Sequence, residues 1–211
     1  MSDIGAILKT ARVIPVVVVD TADDAVPLAR ALVEGGLAAI EITLRTPAAA
    51  EAVKRIQTEV EGAIVGVGTV TTRAQLDLAR SLDVAFAVSP GLTPGLVRHA
   101  NALGLPYLPG IATTSEALLG AELGCRALKF FPAAALGGSA ALSAIGEVLP
   151  DLLFCPTGGI GPDDVANYLA VRAVAAVGCS WPAARPIVQR KEWNEVRRRA
   201  ERLSGIAQRA N

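Results

Sequence analysis

Short apolar runs along the chain alternate with longer stretches in which apolar residues recur every three or four positions. The short runs are rich in β-branched residues and have the length of strands, whereas the spacing in the longer stretches is that of amphipathic helices. The pattern occurs eight times. It predicts strands at Val13–Val19, Leu37–Thr43, Ala63–Gly68, Val84–Val88, Leu105–Leu108, Arg126–Phe131, Leu152–Cys155 and Ala173–Val177.

A helix is predicted after each strand, and several of these helices have recognisable ends. Gly35 and Gly36 close the first helix, Thr71 or Thr72 can cap the third, and Pro162 suits the first position of the seventh. The predicted helices are Ala22–Glu34, Pro47–Val60, a helix from the Thr71-Thr72 pair to Leu82, Thr93–Leu103, a helix from Thr114-Ser115 to Gly124, Ser139–Leu149, a helix that begins at Pro162, and Lys191–Gln208.

Eight strands, each followed by a helix, predict an α/β fold in which a parallel sheet closes into a (β/α)8 TIM barrel. The alternative is an open, doubly wound sheet, but its dinucleotide-binding turn is longer than Gly66-Val67-Gly68-Thr69. A single domain is therefore expected over residues 1–211. A short N-terminal helix at Ser2–Thr10 is expected to cover the bottom of the barrel.

The composition excludes several classes of protein. Of 211 residues, 52% are hydrophobic and 19% are charged, which argues against a disordered chain. Twenty basic residues balance twenty acidic ones, so no net field would attract nucleic acid or a membrane surface. The first residues do not form a signal peptide and no apolar run reaches membrane-spanning length, so a cytoplasmic location is expected.

No metal ion or cofactor is predicted. Cys125, Cys155 and Cys179 form no Cys-x-x-Cys pair, and they are interpreted as buried reduced thiols instead of zinc ligands. His99 is the single histidine and falls on a predicted helix, so a histidine metal site is not expected.

Lys129 is a polar residue on the sixth predicted strand. In barrels of this kind the active site lies at the carboxyl ends of the strands, so a polar residue there is informative. Alternation along the sixth strand directs Leu128 and Phe130 toward the helices, and Lys129 and Phe131 toward the barrel axis. An ammonium without water is costly, so burial favours the neutral amine that attacks a ketone to form a Schiff base. The alternative is a lysine whose amine reaches solvent at the mouth.

Glu41 is a second inward polar residue, on the face of its strand opposite Ile40 and Ile42. A carboxylate near an inward lysine can act as its acid–base partner. The alternative is a buried ion pair that only orders the core. Arg45 lies just past the strand, where its planar guanidinium suits a carboxylate such as that of pyruvate; a surface arginine is the alternative.

Glycine-rich loops follow the seventh and eighth strands. They contain Thr157-Gly158-Gly159 and Gly178-Cys179-Ser180. In many barrels these two loops bind phosphate, because glycines let backbone N–H groups approach the anion. Tight turns that need glycine are the alternative. Trp181 follows the second loop and is interpreted as a packing residue.

Six short motifs occur in order between about residue 13 and residue 181. They are Glu41-Ile42-Thr43-Leu44-Arg45-Thr46, Val67-Gly68-Thr69-Val70, Ser89-Pro90-Gly91, Leu108-Pro109-Gly110-Ile111, Lys129-Phe130-Phe131-Pro132-Ala133 and Cys155-Pro156-Thr157-Gly158-Gly159. Together they resemble the 2-keto-3-deoxy-6-phosphogluconate (KDPG) / 4-hydroxy-2-oxoglutarate (KHG) aldolase family.

This resemblance implies a homotrimeric, metal-free class I aldolase built on a (β/α)8 barrel. It implies that Lys129 forms the Schiff base and that Glu41 is the general acid–base. The remaining residues that it implies are Arg45, Thr69 and Pro90 around pyruvate, Phe131 beside the lysine, and Thr157, Gly158, Gly159, Gly178 and Ser180 around the phosphate.

Two positions depart from the family pattern. Ala134 stands where a glutamate is common directly after Phe-Pro-Ala, and Cys179 stands where a glycine is common. Both departures are expected at the phosphate end of the site. They therefore bear on which sugar acid is used and leave the assignments of Lys129 and Glu41 unchanged.

The expected reaction is the reversible cleavage of KDPG to pyruvate and glyceraldehyde 3-phosphate, with cleavage of KHG to pyruvate and glyoxylate as a second activity. One alternative is an aldolase for the phosphogalactonate epimer, whose family lacks the Thr-Leu-Arg that follows Glu41 here. Two others are a phosphosugar isomerase or epimerase on the same barrel and a catalytically silent phosphate-binding barrel. The expected partners are a phosphorylated 2-keto acid and further copies of the chain, without nucleic acid or membrane.

Overall fold

The computed structural model describes residues 4–210, in which parallel strands alternate with helices. The apolar runs of the sequence form strands because both faces of each strand are covered. The strands are β1 Val13–Val17, β2 Ala39–Thr43, β3 Ile64–Gly68, β4 Phe86–Val88, β5 Tyr107–Leu108, β6 Gly110–Ile111, β7 Ala127–Phe130, β8 Leu153–Pro156 and β9 Val177–Cys179.

Helices precede β1 and follow each strand except β5. They are α1 Ile4–Ala11, α2 Ala25–Glu34, α3 Ala49–Glu59, α4 Arg73–Ser81, α5 Pro94–Ala102, α6 Thr114–Glu122, α7 Gly138–Val148, α8 Val165–Leu169, α9 Arg185–Gln189 and α10 Trp193–Arg209. Short 3-10 helices lie at Ala22–Asp24, Ala134–Leu136 and Trp181–Ala183. None of the helices within residues 4–210 has both the length and the apolar character that crossing a bilayer requires.

Threonines define the amino ends of three helices. Thr72, Thr93 and Thr113 each accept a hydrogen bond from the backbone N–H three residues later. At Thr72 and Thr113 the side chain of that third residue also bonds back to the cap, which completes a capping box. The N-cap predicted at Thr71 or Thr72 is therefore confirmed at Thr72.

The last strand lies further along the chain than the sequence pattern predicts. The predicted strand is Ala173–Val177, whereas β9 is Val177–Cys179, because its ladder forms opposite Val13–Pro15 of β1. Val174 makes only an isolated bridge to Phe154. The apolar character of residues 173–176 reflects burial without a continuous ladder.

Two helix predictions near the carboxyl end are also corrected. The helix predicted to begin at Pro162 begins at Val165, because residues 162–164 form a turn. Helix α9 is absent from the sequence predictions, and the predicted helix from Lys191 begins at Trp193. Proline lies at the start of α9, but five residues are too few for a helical period to be recognised.

Parallel pairing joins the strands into a six-stranded sheet with the order β5-β4-β3-β2-β1-β9 and a three-stranded sheet with the order β6-β7-β8. Pro109 separates β5 from β6, since proline has no N–H to contribute to a ladder. Single parallel bridges connect Phe154 to Val174 and Thr157 to Gly178. The prediction is thus confirmed at the level of an α/β fold with a curled parallel sheet.

Two hydrophobic clusters occupy the two faces of the strands. The larger cluster lies under the helices and includes Ile40, Ile42, Leu128 and Phe130, as the alternation predicted. The smaller cluster lies on the opposite face of the strands and contains Ile14, Ala39, Phe86, Val88, Leu108, Ala127, Cys155, Ala175 and Ala176. Glu41 and Lys129 therefore share the inner face with this second cluster, because side chains alternate along a strand.

Helix α1 is the predicted N-terminal helix. Ser2 and Asp3, the first residues of that prediction, lie outside the described residues. Ile4, Ile7 and Leu8 are buried against the inner cluster near the amino ends of the strands. This end of the sheet is therefore closed by apolar packing, and the opposite, carboxyl end carries the polar residues.

Candidate active site

A buried ion pair lies at the centre of the inner face. The Nζ atom of Lys129 on β7 is 3.4 Å from Oε1 of Glu41 on β2. Their side chains are only 6% and 4% exposed. The ammonium also lies 5.4 Å from the ring centroid of Phe131. The structure thus brings together the lysine, the carboxylate and the aromatic ring that the sequence predicted on one face.

Two glycines lie beside this pair on the neighbouring strands and allow close contacts there. Gly66 is the register partner of Glu41, and Gly110 is the register partner of Lys129. A β-carbon at Gly66 would overlap the ring of Phe86, and one at Gly110 would overlap the backbone of Pro90. The close approach of Pro90 to β6 therefore requires a glycine at position 110.

Gly68 is the third glycine of this group and the one that contacts Glu41 directly. A β-carbon at this position would overlap the Glu41 carboxylate. Gly66 and Gly68 are not among the site residues predicted from the sequence. Their spacing of two residues, which puts both on one face of a strand, is the signal that could have identified them.

Arg45 and Thr69 meet at the mouth, as predicted. Arg45 follows β2, and its Nε donates a hydrogen bond of 3.1 Å to Oγ1 of Thr69. Thr69 follows β3 and has a φ of 61°, which is unusual for a β-branched residue. Such backbone conformations concentrate at functional sites. The remaining donors of the Arg45 guanidinium can bind an anion at the mouth.

Pro90 lies in a turn held by a short chain of hydrogen bonds. The hydroxyl of Tyr107 donates to Oγ of buried Ser89 at 2.7 Å, and Ser89 donates to the carbonyl of Gly91, also at 2.7 Å. Burial raises the pKa of Tyr107 to about 12, so its hydroxyl remains a donor at neutral pH. Tyr107 and Ser89 are not among the residues that the sequence predicted.

The loops after β8 and β9 adjoin. Thr157 forms a bridge with Gly178, and a β-carbon at position 178 would overlap the Thr157 side chain. Gly158 and Gly159 have φ values of 99° and 74°, which glycine adopts without strain. These turns do need glycine, as the alternative interpretation stated.

The two departures from the family pattern lie beside these loops, Cys179 at the end of β9 and Ala134 in the 3-10 helix after β7. Cys179 is buried, and its Sγ donates to the carbonyl of Ile160 at 3.3 Å, which ties β9 to the loop after β8. Burial raises the pKa of the Cys179 thiol, which keeps the S–H donor in place. Ala134 lies against Gly159, where an added β-carbon would be 2.7 Å from the Ala134 β-carbon.

A cavity of about 380 Å³ lies at the mouth, and its lining includes one residue from each predicted end of the site, Arg45 and Ser180. It is lined by Arg45 and Thr46 on one side and by Ser180 and Arg185 on the other. Asp20 and Arg185 form a pair at 2.7 Å. The hydrogen bond from Arg185 and a second one from Gln189 lower the pKa of Asp20. Arg185 belongs to no motif, so no signal in the sequence selects it.

The thiol of Cys155 lies next to Lys129. Burial raises the pKa of Cys155 to about 12, the charge of Lys129 opposes this rise, and the charge of Glu41 adds to it. The thiol is therefore protonated at neutral pH and does not compete as a nucleophile. All three cysteines are free, and Cys125 is only half-buried. Within residues 4–210, His, Cys, Asp and Glu side chains form no cluster suited to a metal ion.

Sequence comparison relates the chain to known aldolases. A family profile described as KDPG and KHG aldolase matches residues 4–199. The KHG/KDPG aldolase of Escherichia coli strain K12 is 47% identical over 176 residues, which cover 83% of each chain.

Solved structures of two further aldolases have the same fold. The KDPG aldolase of Zymomonas mobilis ZM4 with 3-phosphoglycerate superimposes with a TM-score of 0.89 and 43% identity, covering 97% of this chain and 96% of that one. The KDPG aldolase of Legionella pneumophila, with pyruvate captured at low pH as a covalent carbinolamine intermediate, has a TM-score of 0.91 and 38% identity. The superposition covers 95% of this chain and 97% of that one.

Proposed function

Because the chain belongs to the KDPG and KHG aldolase family, we propose that it is a class I aldolase that reversibly cleaves KDPG to pyruvate and glyceraldehyde 3-phosphate. The observation that carries this proposal is the buried pair of Lys129 and Glu41 beside a mouth lined by Arg45 and Ser180. Cleavage of KHG to pyruvate and glyoxylate is a second proposed activity, since the Escherichia coli relative is named for both substrates.

Lys129 is the proposed nucleophile. Its ammonium transfers a proton to Glu41, and the neutral amine adds to the C2 ketone to give a carbinolamine. Glu41 returns this proton to the carbinolamine hydroxyl, which leaves as water, and the resulting protonated imine withdraws electrons from C3. The position of Lys129 supports this role, because a carboxylate that can accept its proton lies 3.4 Å from Nζ.

Glu41 is the proposed acid–base group. Through one water molecule it accepts the proton of the C4 hydroxyl, and the C3–C4 bond breaks as its electron pair moves to the imine nitrogen. The products are an enamine on Lys129 and glyceraldehyde 3-phosphate. Glu41 then returns the proton to C3, and hydrolysis of the resulting imine releases pyruvate and restores the amine.

The anionic ends of the substrate are assigned to the two sides of the mouth. Arg45, held by Thr69, is proposed to bind the carboxylate of the pyruvate half beside Pro90 and Phe131. The phosphate is proposed to bind at the other side, to Thr157, Gly158, Gly159, Gly178 and Ser180. A cavity bounded by both Arg45 and Ser180 supports one molecule that spans both ends.

An assay of pyruvate release tests the proposed reaction. The purified chain should release pyruvate from KDPG. Lactate dehydrogenase, the coupling enzyme, then reduces the pyruvate and oxidises NADH, which is measured. Activity with KHG is expected in the same assay. If neither substrate, nor the phosphogalactonate epimer, yields pyruvate, the aldolase proposal is wrong, and an isomerase or a silent phosphate-binding barrel takes its place.

Replacing Gly68 with alanine is expected to lower kcat/KM by about a hundredfold, because displacing a reacting group by about 1 Å has an effect of this size. The new methyl group would overlap the Glu41 carboxylate and push it away from Lys129. Gly205→Ala in α10 is the matched control, since its β-carbon makes only an ordinary contact with Arg209. Full activity of Gly68→Ala with both substrates would contradict the assigned position of Glu41.

A closed (β/α)8 barrel over one domain is also part of the proposal. The bridges between Phe154 and Val174 and between Thr157 and Gly178 support closure between β8 and β9, and the cluster enclosed on the inner face supports it further. The family resemblance supports a cytoplasmic homotrimer. Light scattering at micromolar concentration should give three times the chain mass of 21.7 kDa, and a monomer mass would contradict the trimer.

A further inference from the structure

The C-terminal helix α10 contacts the loop after β9 through two arginines. The guanidinium of Arg199 lies 4.6 Å from the ring centroid of Trp181, and that of Arg202 lies 5.5 Å from it. Nη1 of Arg199 donates to the Trp181 carbonyl at 3.0 Å. We call Trp181, Arg199 and Arg202 the indole brace. From these contacts we infer that the indole brace positions the phosphate-binding loops, an inference that rests on the proposed function.

The brace acts on the peptide unit that joins Trp181 to Pro182. Trp181 follows Ser180 directly, so the bond from Arg199 to the Trp181 carbonyl holds the backbone one residue beyond the serine. Arg199 itself is held in place by Glu195, which accepts from its Nε at 2.6 Å. The side chain of Arg199 is 21% exposed, so this contact is less screened by solvent than a surface pair would be.

The second arginine connects the brace to the other phosphate loop. Arg202 stacks on Trp181 and also pairs with Asp163 at 2.5 Å. Asp163 lies in the turn that follows Gly158 and Gly159. One helix thus contacts the segments after both β8 and β9, although Arg202 is half exposed and its ion pair is the weaker connection.

This arrangement predicts a defect confined to one end of the substrate. Backbone N–H groups bind an anion well only when they are held in position before it arrives. None of the contacts of the brace involves Lys129 or Glu41. Loss of the brace should therefore weaken phosphate binding and leave the chemistry at the lysine unchanged.

The test compares Arg199→Met with Arg198→Met on two substrates. Both arginines pair with Glu195, but only Arg199 contacts Trp181, so Arg198→Met is a matched control. Arg199→Met should raise the KM for KDPG about tenfold with kcat unchanged, the size expected for one lost oriented contact. The kcat/KM of Arg199→Met for unphosphorylated KHG should stay within about twofold of the wild type. The KM and kcat of Arg198→Met for KDPG should also stay within about twofold. Arg199→Lys keeps a cation near the indole, so its KM for KDPG should rise by about threefold instead of tenfold.

Calorimetric titration with inorganic phosphate separates this inference from the proposed function, because it needs no catalysis. Phosphate should bind Arg199→Met about tenfold more weakly than it binds the wild type and Arg198→Met. If thermal melting shows that Arg199→Met is unfolded, Trp181→Phe replaces it in both tests, with about a threefold effect expected from the smaller ring. Three results would each overturn the inference. They are equal losses of kcat/KM on KDPG and KHG, no difference between the Arg199 and Arg198 variants, and no phosphate binding by the wild type. A wild type that binds phosphate but releases no pyruvate would instead refute the proposed reaction.

Discussion

Replacing Lys129 with arginine is expected to lower kcat by about four orders of magnitude or more, the loss that follows removal of a covalent nucleophile. A guanidinium stays protonated in proteins, so it cannot add to the ketone. It does keep a positive charge beside Glu41, which limits damage to the fold. Lys129→Ala would be a poorer choice, because it leaves the carboxylate buried without a partner, at a cost of about 3–5 kcal/mol.

Reductive trapping identifies the lysine directly. Borohydride added with pyruvate should reduce the imine to a stable secondary amine, inactivate the protein and add a lactyl-sized mass to the peptide that contains Lys129. The Lys129→Arg variant should give no adduct, whereas Lys54→Arg, at an exposed position of α3, should be trapped like the wild type. An adduct at Lys9, Lys54 or Lys191, the only other lysines, would move the active site away from β7.

Replacing Glu41 with glutamine is expected to lower kcat for KDPG cleavage by about 10²–10⁴-fold, the usual contribution of one acid–base group. The amide has nearly the same shape as the carboxylate but cannot accept the C4 hydroxyl proton or return a proton to C3. The amine of Lys129 is unchanged in this variant. Imine formation with pyruvate should therefore persist in Glu41→Gln.

Two measurements on the same variant separate these effects. Exchange of the methyl protons of pyruvate with D₂O, followed by NMR, should slow in parallel with cleavage, because both need the proton transfer at C3. Borohydride with pyruvate should still label Lys129. Glu51→Gln, at an exposed position of α3, is the control and should behave like the wild type. Wild-type exchange in Glu41→Gln would mean that another group moves the proton.

Much of the fold follows from local pattern in the sequence. The period of two in the strands places Ile40 and Ile42 under the helices and leaves Glu41 on the other face, and it does the same for Lys129 between Leu128 and Phe130. Residue type also marks some helix starts, since Thr72 and Thr93 cap helices through their own hydroxyls. These features depend on neighbours within a few residues, so a single sequence is sufficient to predict them.

The spacing of Gly66 and Gly68 is visible in the sequence, but the reason for glycine at these positions becomes clear only in the tertiary structure. Their bare backbones matter because Phe86 and Glu41, from other strands, occupy the space that a β-carbon would fill. The position of β9 is a similar case, since its pairing with β1 selects Val177–Cys179 over the equally apolar residues before it. Strand register joins segments that are distant in the chain, and local pattern does not carry that information.

The sequence by itself therefore determined the type of most elements, the face on which Lys129 and Glu41 lie, and the motifs that relate the chain to its family. The tertiary structure decided which strands are neighbours, and so brought two residues separated by 88 positions to within 3.4 Å. It also joined Arg199 of the last helix to Trp181 beside the glycine-rich loops. The physical reason is that alternation and capping are set by short-range sterics and hydrogen bonds, whereas these contacts exist only after the sheet has paired and packed.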